Sequence, residues 1–267
     1  MRIIVPIKQV PETNAVKMDE ETGTMIREGV EAIVNPLDLY AIETAIRLKE
    51  AHGGEIIVIS MGPPKTVTAI REAVAMGCDS GILLTDRAFA GSDTWATSYV
   101  LSAGVRRIGQ ADLIICGERA TDGDTGQVGP GLAAFLDLPV ATYVSRIEDI
   151  SPGSCRVHRM VEKGYEVLEV QMPAVLTVVK EIAAPRLPTL RGKLRAKQTE
   201  IPTWSHGDLD VEECNLGLNG SRTRVVKISR PKVARKCEKI VAGDEESIGE
   251  AVDNLLVFLQ KRNLIKE

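Results

Sequence analysis

The sequence predicts a doubly wound α/β fold built on a mostly parallel sheet, followed by a C-terminal extended arm and helix. Three observations carry this. Short apolar runs alternate with helix-like segments through residues 2–138, the pattern left by strands joined through crossover helices. The runs are apolar throughout, as strands covered on both faces are. Small-residue turns follow several of them, at the sheet edge where ligands of such folds bind.

Arg2–Ile7 reads as the first strand, and the apolar run at the start is too short for a signal peptide. Asn35-Pro36 opens a helix with apolar residues at 39, 42, 45, 46 and 48; Asn35 is its expected N-cap and Gly53 its stop. Glu55–Ser60 is a strand, Pro64–Met76 a helix ended by Gly77, and Ile82–Thr85 a strand. Ser92–Ile108 follows as a helix with Ser92 as cap, then the strand Asp112–Cys116 and a helix over Leu132–Leu138. Beyond residue 139 the strands Thr142–Glu148, Cys155–Glu162, Tyr165–Gln171 and Ala174–Lys180 come in succession, with Lys163-Gly164 as a hairpin turn. Residues 182–240 read as irregular and basic. A last amphipathic helix is apolar at 248, 251, 252, 255, 256 and 259, with Ser247-Ile-Gly-Glu250 as a capping box. Residues 1–182 are expected to form the α/β domain including its strand-rich later part, and 183–267 a loop, an extended arm and a C-terminal helix.

Composition narrows the function. The 267 residues are 44% hydrophobic and 26% charged, as in ordinary soluble globular proteins. A net charge of −4 argues against nucleic acid or an anionic membrane as the main partner. No aromatic residue between Trp204 and Phe258 is there to stack a base beside the basic clusters. No apolar run reaches membrane-spanning length. Five cysteines without a C-x-x-C pair point to reduced, cytoplasmic usage with neither disulfide framework nor metal knuckle.

The most informative stretch is Asp112–Gly131. A buried strand runs into a loop with glycines at 117, 123, 126, 129 and 131, and then into a helix. That arrangement presents backbone N–H groups at the positive end of a helix, a seat for phosphate. Glycine lets the backbone approach an anion and take positive φ, and Pro130 suits the first helical turn. The order G-x-x-G-x-G reverses the dinucleotide fingerprint, and no P-loop occurs. An EF-hand starting at Asp122 would need Glu at position 133, which is Ala. Asp122 and Asp124 could cap helix N–H groups or accept from ribose hydroxyls. Because strand C-terminal ends share one edge, the turns Pro6–Lys8, Ser60–Pro64 and Cys116–Gly131 should line one crevice. His52, His158 and His206 form no ligand pattern, and no nucleophile elbow or Cys–His pairing is present. No catalytic residue or metal is assigned, so any redox chemistry belongs to a cofactor.

Ordered motifs then carry a resemblance. Ile7-Lys8-Gln9-Val10-Pro11, Asn35-Pro36-Leu37-Asp38, Ser60-Met61-Gly62-Pro63, Ala73-Val-Ala-Met-Gly77, Ala120–Gly129, Pro173–Glu181 and Pro185-Arg186 through Arg195-Ala-Lys197 resemble the beta subunit of electron-transfer flavoproteins over essentially the whole chain. The resemblance implies an adenine-nucleotide hydrolase-like fold and a heterodimer with an alpha subunit that holds the main FAD. It implies nucleotide contacts at Pro6, Asn35, Pro36, Leu37, Asp38 and Met61. It also implies them along Ala120, Thr121, Asp122, Gly123, Asp124, Thr125, Gly126, Gln127, Val128, Gly129, Pro130 and Gly131. Pro6 departs from the Cys or Ala of the family; it removes a backbone donor and leaves the carbonyl. The segment carrying Arg186, Leu190, Arg191, Lys193, Arg195 and Lys197 matches the family's grip on an acyl-CoA dehydrogenase-type partner. The family holds either AMP or a second FAD that bifurcates electrons from NADH; whether ferredoxin is then the second acceptor is left open by the sequence. Asp122-Gly123-Asp124-Thr125 looks like the FAD-holding kind, since Gly123 gives a diphosphate more room and more backbone donors. FAD is the expected cofactor and AMP the alternative, the latter in a simple electron shuttle.

Overall fold

The computed structural model describes residues 1–12, 32–226 and 239–265. It falls into two compact units, Met1–Val226 and Lys227–Glu267, so the first continues past residue 182, where the sequence changes character.

The first unit opens with β1 (Arg2–Pro6), β2 (Gln9–Pro11), β3 (Ala32–Val34), α1 (Asp38–His52), β4 (Glu55–Met61) and α2 (Val67–Met76). Next come β5 (Ser80–Leu84), α3 (Thr94–Ile108), β6 (Leu113–Gly117) and α4 (Val128–Leu136). A strand-rich stretch follows with β7 (Val140–Ser151), β8 (Ser154–Val161), β9 (Gly164–Gln171) and β10 (Ala174–Val178). It ends with α5 (Leu190–Gln198), β11 (Thr203–Trp204) and the single turn α6 (Gly217–Gly220). The nine-stranded sheet has the order β11-β5-β4-β1-β6-β10-β7-β8-β9. Every pairing from β11 to β7 is parallel, and β8 and β9 extend the sheet antiparallel. The doubly wound α/β expectation holds.

The continuous apolar strands are explained by two cores. Ile3 and Val5, with Leu113 and Ile115, face the core shared with Ile42 and Ala45 of α1 and Ile70 and Ala73 of α2. Ile4 and Ile114 face the opposite core with Val100 and Leu101 of α3 and Leu132 of α4. Alternate residues of one strand thus enter different cores, and none of those positions can be polar without an unpaired buried group.

Helix starts differ from the sequence reading. Asn35 does not cap α1: Leu37 stands at the cap with no side-chain bond, because the Asn35 amide is used elsewhere. Ser92 turns its hydroxyl to the Phe89 carbonyl at 2.8 Å, and Asp93 caps α3 through Ala96 N–H. α4 starts at Val128, ahead of the expected Leu132. Residues 182–240 are less irregular than expected, since they contain α5, β11 and α6.

Helix α5 depends on tertiary contacts. Thr189 caps it by accepting from Gly192 N–H at 3.0 Å. Arg195 donates to the carbonyls of Val74 and Cys78 at 2.7 and 2.9 Å, satisfying the end of α2. Ala196 is buried against Val74 and Ala75. At Gly192 the helices come so close that a Cβ would overlap the Ala75 carbonyl.

In the second unit, α7 (Glu245–Gln260) is capped by Asp244, with Ser247 completing the box from the third helical position, three residues later than its expected role as cap. Ile248, Val252, Leu255 and Phe258 on it are each about half exposed. Most of the basic cluster Arg222–Lys239 lies outside the described residues, as does Cys237. Among the described residues no helix is long and apolar enough to cross a membrane.

Gly192→Val should force α5 off α2. Overpacking of this kind costs about 1–3 kcal/mol, which lowers the thermal midpoint by roughly 2–4 °C per kcal/mol in a chain of this size. Arg191→Ala, at an exposed neighbouring position, should leave the midpoint unchanged in the same melting experiment.

Candidate functional site

In this sheet β1 is flanked by β4 and β6, and the chain leaves it on one side for β4 and β5 before returning past it to β6. Crossover helices diverge at such a reversal, and a crevice opens beyond the strand C-termini. The cleft here has a volume of about 1090 Å³. Its lining comes from the turns after β1, β4, β5 and β6, with Thr223 completing one side.

Of the residues proposed from sequence, Pro6, Asp38, Met61, Ala120, Gly123, Thr125, Gly126, Gln127, Val128 and Gly129 line this cleft. Asn35, Pro36, Leu37, Thr121, Asp122, Asp124, Pro130 and Gly131 stand outside its lining. Lys8, Glu118 and Arg119, which lie in turns expected at the crevice but not assigned as contacts, line it too, whereas Thr223 and the turn Thr85–Thr94 were missed by sequence reasoning. That turn follows a parallel strand, so the shared-edge argument applied to three turns reaches this fourth one as well.

Asn35 explains how the loop after β6 is held. It is fully buried. Its backbone N–H donates to Lys8 O at 2.8 Å. Its side-chain amide donates to Arg119 O at 2.9 Å and accepts from Thr121 N–H at 3.1 Å. The residue is therefore a staple between the turns after β1 and β6.

The acids around the cleft each have a partner. Lys8 Nζ meets Asp122 Oδ1 at 2.6 Å, and Arg119 Nε meets Asp124 Oδ1 at 3.0 Å and Glu118 Oε1 at 3.2 Å. Asp124 takes the left-handed conformation with φ 53°, which aspartate tolerates better than most residues. Asp38, in the first turn of α1, accepts from Lys8 N–H at 2.7 Å. Burial pushes its pKa from 3.8 up to about 7, against the pull of the Lys8 N–H, the Asn35 amide and the Lys8 charge. Across the cleft, Ala88 N–H and the imidazole of His206, 2.6 Å from Asp86, hold the Asp86 carboxyl down to about 2.

The glycines divide by role. Gly126 has φ +63°, a conformation that L side chains rarely adopt. Gly123 has open space where its Cβ would stand. Gly129 instead permits close packing, since a Cβ there would lie 2.5 Å from Thr177 Cγ2 on β10. Gly131 does the same against Ser98 Oγ, at 2.5 Å. The start of α4 faces the cleft through Gln127, Val128 and Gly129, and no side chain caps it. Its first N–H groups carry the positive end of the helix dipole. A phosphate group fits there chemically, whereas the start of α3 is already taken by Asp93.

In the segment from Arg186 to Lys197, Leu187, Leu190 and Leu194 are exposed, Leu190 to 76%. Arg191, Lys193 and Lys197 are exposed as well. Arg186 is held by Glu43 at 2.9 Å and Glu50 at 2.6 Å, and Arg195 is spent on α2. Among the described residues no group of three or more His, Cys, Asp or Glu is placed to hold a metal ion.

Comparison with known proteins agrees with this architecture. Residues 22–209 match the electron transfer flavoprotein domain. The chain is 48% identical to the electron transfer flavoprotein subunit beta of Thermoanaerobacterium thermosaccharolyticum, over 99% of this chain and all of that one. It is 44% identical to the caffeyl-CoA reductase-Etf complex subunit CarD of Acetobacterium woodii, over 99% of this chain and all of the relative. Identity to protein FixA of Azorhizobium caulinodans is 40%, covering 98% and 95% of the two chains. The chain belongs to the electron transfer flavoprotein family, among its beta subunits.

Proposed function

We propose that this beta subunit works in electron transfer with an adenine nucleotide in the cleft, FAD in preference to AMP, as one half of a heterodimer with an alpha subunit. The observation that carries the reading is the cleft itself, where four strand-end turns meet in front of an uncapped helix start. Its volume of about 1090 Å³ lies just above the roughly 300–1,000 Å³ range of small-molecule sites. That favours a dinucleotide over a mononucleotide.

In this reading the diphosphate lies over Gly123–Gly129, held by backbone N–H groups and the Thr125 hydroxyl. Bound FAD would exchange electrons with NADH and pass them onward, which is chemistry the chain's own side chains do not supply. Lys8 and Arg119 are paired with acids, so the protein binds the anion mainly through oriented dipoles. Asp38, in the cleft lining, stays largely protonated below about pH 7. The exposed Leu190 and its basic neighbours Arg191, Lys193 and Lys197 suit an acyl-CoA dehydrogenase-type partner, the leucine as anchor and the cations as steering charges. Ferredoxin enters as a second acceptor only if the crevice holds FAD. The chain is proposed to act in the cytoplasm.

The direct test is release and mass analysis of the nucleotides from the purified assembly. Two FAD per heterodimer is the expected result; one FAD and one AMP would leave a simple shuttle, and no nucleotide in this chain would end the reading. Gly126→Val should empty the cleft, because its φ of +63° suits glycine and costs other residues roughly 1–2 kcal/mol. Circular dichroism should show the sheet intact, and full nucleotide occupancy in that variant would remove the loop from the site.

Asp38 generates a pH dependence. Between its ordinary 3.8 and about 7, the folded protein keeps a proton that the unfolded chain has lost, so this residue's contribution to stability falls as pH rises through that window. Asp38→Asn keeps an acceptor for Lys8 N–H and cannot ionise. The variant should gain stability relative to the parent at pH 8 and match it near pH 4, as read by denaturant unfolding at both values.

A further inference from the structure

The cleft wall after β5 is made of two stretches far apart in the chain. Residues 217–223 lie against the turn from Asp86 to Asp93, and hydrogen bonds lace the two together. Leu218 N–H donates to Ala90 O at 3.0 Å. Asp93 N–H donates to Ser221 Oγ at 2.8 Å, and the Ser221 hydroxyl donates to Gly217 O at 2.8 Å. Gly217, with φ +55°, sits so close that a Cβ would strike the carbonyls of Ala88 and Ala90.

Asp93 is the knot of this contact. One carboxylate oxygen caps α3 by accepting from Ala96 N–H at 3.0 Å. The other accepts from Arg222 N–H, Thr223 N–H and the Thr223 hydroxyl at 2.8, 2.8 and 2.9 Å. The Arg222 guanidinium also lies 4.2 Å from the centre of the Trp95 ring, a favourable cation–π arrangement. Burial works to raise the Asp93 pKa, but these hydrogen bonds outweigh it and leave the carboxyl below its ordinary value, ionised at neutral pH. Thr223 meanwhile lines the cleft. Immediately beyond it, Val225 and Val226 are 80% and 94% exposed, and the second compact unit begins at Lys227.

We infer that Ser221–Thr223 is a strap belonging to the nucleotide site, fastened by Asp93, so that filling the cleft secures the root of the C-terminal arm. The inference rests on the nucleotide reading above. A ligand that touches Thr223 gains those contacts only when the strap is fastened, so it shifts the population toward the fastened state. By linkage, loosening the strap must weaken the ligand by the same factor. Asp93 and Thr223 are positioning residues here, and Arg222 adds to the hold from the outer side.

The test uses the purified full-length chain in the assembly it forms, stripped of nucleotide, with AMP and FAD as probes. Trypsin cleavage after Arg222 and Arg224 should slow about five- to tenfold or more when the cleft is saturated, the usual size of such couplings. Cleavage after the exposed Arg191 should not change with nucleotide. Asp93→Asn keeps one oxygen to cap α3 and replaces the other with a donor, so it should abolish the protection and weaken nucleotide binding by a similar factor. Thr223→Val is the milder variant: it loses only the hydroxyl, and it should reduce protection partway while the circular dichroism spectrum stays the same. If the unaltered protein binds nucleotide but shows no protection, or if Asp93→Asn binds with unchanged affinity, the strap is overturned and the nucleotide reading survives. If the unaltered protein binds neither AMP nor FAD, that reading fails and the strap with it.

Discussion

Three hydrogen bonds made by Asn35 hold the site in shape. Its N–H reaches Lys8, and the two ends of its side-chain amide reach Arg119 and Thr121. These groups belong to turns that follow β1 and β6, neighbours in the sheet but separated by about half of the first unit in sequence. With the residue fully buried, water cannot replace a lost partner, and each orphaned group would cost about 1–3 kcal/mol. An apolar side chain at position 35 would release the loop from Glu118 to Gly126 while leaving both apolar cores untouched. The geometry of the cleft is thus set by a polar contact that contributes nothing to either core.

The charges follow the same economy. Acids beside a phosphate seat look unfavourable in sequence, yet Asp122 and Asp124 are drawn to Lys8 and Arg119. The pairs tie the loop down and leave the cleft with little net charge. The row of N–H groups at the start of α4 attracts an anion with a strength that hardly depends on pH, and Arg87 in the cleft lining adds a charge to it. Exposed ion pairs of this sort contribute little to stability on their own; here they fix loop geometry.

The central fold was legible because burial on both faces writes itself into a strand as an unbroken apolar run, seen in Ile3–Val5 and Leu113–Cys116. Three of the helix caps were not legible. Asn35, Ser92 and Ser247 are all residues that cap well, but each spends its polar side chain on another partner or position. Helix α5 escaped notice because it is short and its stabilising bonds come from Arg71 and Arg195, which join it to a distant helix. Within the candidate site, the three turns with distinctive residues were found and the fourth, Thr85–Thr94, was not. Its role follows from position in the sheet, and its sequence carries no phosphate-loop signature.

Strand β10 enters the sheet between β6 and β7, although β7, β8 and β9 precede it in the chain. Leu113 pairs with Ala174 and Gly117 with Val178, so β6 has no neighbour on that side until the whole antiparallel extension has been made. Helix α4 waits on the same event, because Gly129 rests against Thr177. Pairings that span so much chain form slowly, since loop closure precedes the gain from contact. During synthesis the turns after β1, β4 and β5 can therefore take shape before the helix that completes the cleft edge after β6 is anchored. The start of α4 is anchored only once residue 178 has left the ribosome, and the cleft wall formed by residues 217–223 follows later still.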